Sequence, residues 1–195
     1  VVAEYEGTRA DARLVVRVVC TLVMDDVPGG AATASHFEAG GQDAPELLYP
    51  TPGAMLPQNI DGVDFQRRPG ILGSVHRLRF RRGFRDFEVF TTLEHWRQIG
   101  GDFWEALVDE GRIGWLEVTV ASDGGGVSAP HTLAFSSSEI SGAIYYWSTT
   151  DGGIMRLPIG DALPERFRVP AGAPIECVGC HSVSRDGFKI AATHT

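Results

Sequence analysis

Short stretches of alternating apolar and polar residues recur along the chain, separated by glycine and proline. In "VHRLRFR", His76, Leu78 and Phe80 share one side of an extended strand, with Val75, Arg77 and Arg79 on the other. "WLEVTVA" repeats the pattern with Leu116, Val118 and Val120. "GVDFQRR", "FEVFTT", "HTLAFS" and "GAIYYWST" are further strand-length runs, and "LLYPTPGAMLP" is strand-like with proline and glycine punctuation. Valine-rich residues 2–5 and 13–23 flank "EGTRAD" and predict a hairpin. Two strands do not stand alone, so this hairpin either finishes a sheet begun upstream or pairs with the rest of the chain. One segment breaks the β pattern. "GDFWEALVDEG" places Asp102 as a helix cap, Glu105 three residues on as in a capping box, and Gly111 as a stop. The expectation is an all-β, antiparallel β-sandwich with one short helix. Trp96, Trp104, Trp115 and Trp147 are expected to fill or cover its core.

Residues 24–46 are rich in Gly, Ala, Asp and Pro and read as a linker, with His36 and Phe37 incidental within it. After "GGIMRLPIG" the chain becomes proline-rich up to a closing "ECVGCHSVSRDGFKIAATHT" at 176–195, whose last part reads as a turn and a new strand.

Composition adds limits. The 195 residues carry a net charge of −8, which argues against a general nucleic-acid binder. No apolar run reaches the ~18 residues of a membrane span. Seven arginines crowd into 67–85, at Arg67, Arg68, Arg77, Arg79, Arg81, Arg82 and Arg85. They read as charge guarding a strand edge, or as a docking patch for an acidic partner or a cofactor's carboxylates.

Three cysteines are too few for a disulfide framework; Cys20, in "LVVRVVCTLV", reads as a small buried hydrophobe. Cys177, Cys180 and His181 form C-x-x-C-H. In a c-type haem site each thiol adds to one vinyl group, and the adjacent histidine becomes the proximal iron ligand. The motif thus assigns Cys177, Cys180 and His181 to one covalent haem c, with the iron on His181. Three rivals stand beside it. A zinc knuckle needs two further ligands, and none lies nearby. A thioredoxin-like pair wants a strand before it and a helix after it. A plain Cys177–Cys180 disulfide suits an oxidising compartment. Met155, close in sequence, is a candidate distal ligand. His194, His131, His95 and His76 are candidates too, although an extended final strand would carry His194 far from His181.

"APELLYPTPGAMLPQNIDGVDF", "GAIYYWSTTDGGIMR" and "CVGCHSVSRDG" together resemble large secreted or surface proteins of Gram-negative bacteria. In those, an immunoglobulin-like sandwich leads through a C-x-x-C-H junction into a TolB-like β-propeller. The resemblance implies that 1–23 are the last strands of a preceding Ig-like domain, 24–46 a linker, 47–170 an Ig-like sandwich, and 171–195 the junction with the first propeller strand. It implies part of a longer polypeptide in the periplasm, on the outer membrane or outside the cell. The functional expectation is an exported haem module for electron transfer, with a redox protein as partner. The alternative is a non-enzymatic surface module without haem. No G-x-S-x-G, H-E-x-x-H or P-loop occurs, so enzyme chemistry would rest on a five-coordinate haem iron acting on peroxide.

Overall fold

A computed structural model describes residues 2–5, 8–11, 15–60, 62–98, 100–161, 163–168, 178–186 and 188–194; side chains of 2–5, 8–11, 98, 178, 179 and 194 are outside that description. The chain is all-β. A six-stranded sheet has β3 (Val18–Val23), β8 (Arg85–Thr91), β7 (His76–Arg82), β10 (Leu116–Ser122), β11 (His131–Ser136) and β5 (Ala54–Pro57) in that order. Its interior pairs are antiparallel, and its two outer pairs, β3–β8 and β11–β5, are parallel. A three-stranded sheet joins β4 (Glu46–Tyr49), β6 (Val63–Arg68) and β9 (His95–Gln98). A second joins β12 (Ala143–Ser148), β13 (Gly153–Pro158) and β14 (Glu165–Arg168). Two hairpins remain, β1 (Val2–Tyr5) with β2 (Thr8–Asp11), and β15 (Val178–Val183) with β16 (Ile190–His194). The helices are α1 (Ala31–Ser35) and α2 (Gly101–Ile113).

The period-2 pattern decides what is buried. His76, Leu78 and Phe80 are at most 1% exposed, as are Leu116, Val118 and Val120 on the neighbouring strand. Leu78 lies opposite both Val89 and Val120, so one face of three strands is continuously apolar. Facing it, β6 and β9 contribute Phe65 and Trp96, and the Phe65 and Phe80 rings meet edge-on at 5.2 Å. Burying a ring such as Phe80 contributes about 2–3 kcal/mol. The result is sandwich-like, with one core shared between the six-stranded sheet and the β4–β6–β9 sheet.

Helix α2 closes one side of that core through Trp104, Leu107 and Val108, with Trp104 edge-on to Phe135 at 5.5 Å. It begins after Gly100 without a side-chain cap, and it runs through Gly111 to Gly114. Gly111 is therefore a packing residue, not a stop: a Cβ there would lie 2.3 Å from the Phe135 ring. Trp96 and Trp104 are core, whereas Trp115, just before β10, and Trp147, on the edge strand β12, are nearly half exposed and outside the shared core.

The expected hairpin between 2–5 and 13–23 does not form: Val2–Tyr5 pairs with Thr8–Asp11, and Val18–Val23 joins the main sheet beside β8. The stretch 24–46 is packed rather than spacer-like. Asp26 accepts bonds from the Thr91 and Thr92 hydroxyls and the Thr92 amide, and Val27 is buried with Val75 and Phe90. Phe37 sits edge-on to Phe90 at 5.4 Å, with the Arg77 guanidinium over its ring at 5.0 Å. Gly41 and Gly125 bring two backbones together, with the Gly40 and Gly41 amides donating to the Gly125 carbonyl at 2.8 and 2.9 Å.

Gly111→Ala is expected to lower unfolding free energy by about 1–3 kcal/mol, because the added methyl displaces Phe135 against Trp104. Urea denaturation measures this. An unchanged midpoint would show that the helix packs more loosely than described.

Candidate cofactor-attachment site

Cys180 and His181 of the C-x-x-C-H motif lie on the first strand of the β15–β16 hairpin. Cys177 lies outside the described residues. The turn that follows is held by Ser184, Asp186, Phe188 and Lys189. Ser184 donates its hydroxyl to Asp186, while the Phe188 amide donates to Asp186 and the Lys189 amide to Ser184 Oγ. The Ser184 hydroxyl, then the Phe188 amide, hold the Asp186 carboxyl below its ordinary value. The final strand, expected to lead away, thus folds back onto the motif itself.

The hairpin is irregular at the motif. Gly179 lies opposite Thr193 and Ser182 opposite Ala191, so Cys180 and His181 together oppose Ala192 alone. This is a β-bulge, a device that re-aims side chains and interrupts their strict alternation. Cys180 has φ 39° and is the sole non-glycine residue with positive φ among the described residues. Left-handed backbone is unfavourable for a residue with a Cβ, and such strain gathers at functional sites. Cys180 is exposed and its thiol is free.

His181 is half-buried and donates from Nε2 to the Tyr145 carbonyl at 3.2 Å. β15 lies against β12 and β13, so the motif rests on the β12–β13–β14 sheet. That sheet is unusually aromatic for its exposure. Tyr146 and Trp147 on β12 and Phe167 on β14 are each about 40% exposed. Tyr145 packs edge-on to Phe167 at 5.0 Å.

The other candidate ligands are dispersed. Met155 lies on β13 opposite Tyr146 and is 7% exposed, buried within its sheet. His131 shares a hydrogen bond with the Pro50 carbonyl at 3.1 Å, and His95 is exposed 3.6 Å from Asp64. His76 is buried in β7 with Nδ1 3.0 Å from Ser122 Oγ. His194 is closer to the motif than an extended chain would allow, since its backbone pairs with Val178. That places it three residues along the hairpin from His181, about 10 Å at strand spacing.

The arginine cluster is used internally. Arg79 pairs with Asp86 at 2.9 Å and Arg77 with Glu88 at 3.6 Å; Arg17 also pairs with Asp86. Arg81 pairs with Glu117 at 2.8 Å across β7 and β10. Arg82 and Arg85 both reach the buried Glu110 of α2. Arg67 is 4% exposed, donates to the Leu93 carbonyl, and leaves Nε and Nη1 without partners. Burial first, offset by Glu94 and Asp26, pushes its guanidinium down to about 10, so it stays charged at neutral pH. The period-2 pattern does not reveal these pairs, because each acid comes from a different strand or helix.

The donor set at the motif, a thiol beside an imidazole, fits c-type haem in kind. Ligation of iron through His181 Nε2 would require release of its bond to Tyr145. Among the described residues no group of three His, Cys, Asp or Glu side chains could hold a bare metal ion. The chain matches no protein-family model, no curated protein and no solved structure.

His76 yields a pH prediction. Burial, and after it the Arg67 charge, push its imidazole from 6.5 down to about 4. Between those values the unfolded chain binds more protons than the folded one. Stability is therefore full above pH 6.5 and falls as pH drops toward 4, by about 3 kcal/mol from this group. Denaturation of wild type and His76→Leu at pH 7 and pH 4 should show a smaller acid loss in the variant. Equal losses would contradict a buried neutral His76.

Proposed function

We propose that the chain is an exported haem-binding module for electron transfer or redox-linked chemistry, with one haem c held by Cys177, Cys180 and His181. The C-x-x-C-H motif carries this reading. A bulge that strains Cys180 supports it, as does the exposed aromatic sheet beside the motif. Tyr145 and Trp147, two apart on β12, share a face with Phe167 and offer apolar surface of the kind that excludes water from a macrocycle. Thioether tethering keeps the cofactor from being lost outside the cytoplasm, and His181 supplies the proximal nitrogen. Bound haem supplies a reversible one-electron iron couple.

The wider setting belongs to the same proposal. It comprises an immunoglobulin-like sandwich within a longer polypeptide, a propeller following the hairpin, a periplasmic or surface location, and a redox protein as partner. Among the described residues no helix is long and apolar enough to cross a membrane. The arginines offer little to a partner, since Arg77, Arg79, Arg81, Arg82 and Arg85 are already paired with acids of this chain. Met155 as distal ligand would have to leave its buried position.

A second reading is favoured by the Tyr145 bond itself. With His181 engaged in the sheet, the motif can serve as a haem-free hinge in which Cys177 and Cys180 form a disulfide or remain thiols. Expression in a periplasm with cytochrome maturation machinery separates the two. Intact mass should rise by one haem, and the rise should vanish in a Cys177→Ser, Cys180→Ser variant. A bare polypeptide mass, or one lower by two hydrogens, would favour the hinge.

A further inference from the structure

A carbonyl oxygen only accepts, so the 3.2 Å contact between His181 and Tyr145 requires a hydrogen on Nε2. A neutral imidazole has a single N–H, which leaves the electron pair on Nδ1. β12 is the edge strand of its sheet, and the bulge at Cys180 and His181 turns the ring toward it. We infer that the Tyr145 carbonyl fixes His181 as the Nε2–H tautomer and thereby docks the β15–β16 hairpin on β12. Docking and iron ligation through Nε2 are then mutually exclusive. Only the last clause rests on the haem reading above.

The described side chains of the hairpin are mostly exposed. Cys180, Ser182, Val183, Ala191, Ala192 and Thr193 are all exposed, and His181 and Ile190 are only half-buried. A two-stranded hairpin is marginal by itself, and segments with few buried apolar contacts open at low cost. One charge-free hydrogen bond therefore matters more here than it would in the main core. Nδ1 sits next to the ring carbon that joins the backbone, whereas Nε2 is the far nitrogen that clears the main chain. A planar macrocycle is accommodated on Nε2, and the hairpin has to leave Tyr145 to offer it. Tyr145 thus acts as a positioning residue through its main chain, which no side-chain substitution at 145 removes directly.

The test uses the full chain. Long-range nitrogen–proton correlation spectra of the haem-free protein should show His181 Nε2 protonated and Nδ1 bare. Hydrogen exchange of the β15 and β16 amides should quicken about fivefold in His181→Leu, and much less in His181→Gln, whose amide keeps a donor. In chain carrying covalent haem, those amides should exchange as fast as in His181→Leu. A proton on Nδ1 instead, or equal exchange in Leu and Gln variants, would overturn the docking bond. Retained protection in the haem-loaded chain would overturn the exclusivity. Failure to acquire haem would overturn the functional reading and the exclusivity with it; the tautomer and the variant series are measured without haem and stand apart.

Discussion

Everything else in the molecule is arranged around the closure of one apolar surface. Leu78, Phe80, Val89, Val118 and Val120 form an uninterrupted patch on the six-stranded sheet, and Phe65, Trp96 and α2 cover it. Once that face is committed, the register of each strand is fixed, because a one-residue slip would turn the whole set outward. The outer faces then carry the arginines, which meet acids across the ladders. The loops gather at the sheet ends, where residues 24–46 fold back and are secured by Asp26 and Phe37.

The third sheet and the terminal hairpin stand outside this closure. Their side chains are more exposed, and few belong to the shared core. Binding elements are drawn from such less committed regions, since a ligand can be accommodated there without opening the main core. The bulge at Cys180 and His181 lies in this less committed part of the chain. Cys180, in the bulge, carries a backbone cost that ordinary strand residues avoid.

Much of the fold was legible because the alternation is strong. Leu78, Phe80, Leu116, Val118 and Val120 are all inward, as their spacing implies. Features set by distant partners were not legible. Gly111 looks like a helix stop, yet it is kept small by Phe135, which is 24 residues away in sequence. Phe37 sits in a glycine-rich stretch but is gripped by Arg77 and Phe90. At the site, the motif itself was visible in the sequence. The turn after it was legible too, but not that the strand beyond it pairs back to bring His194 beside Val178, since pairing partners are not set by periodicity. Nor could the sequence indicate that Nε2 of His181 already has a partner.

The proposed attachment of a porphyrin through two thioethers at Cys177 and Cys180 has a direct chemical signature. The most direct measurement is the alkaline pyridine haemochrome spectrum of matured chain after unfolding and extraction. The account requires pigment that stays with the polypeptide and shows the spectrum of a haem with both vinyl groups saturated. Extractable haem with intact vinyl groups, or a colourless chain from cells that mature a control cytochrome, would contradict it.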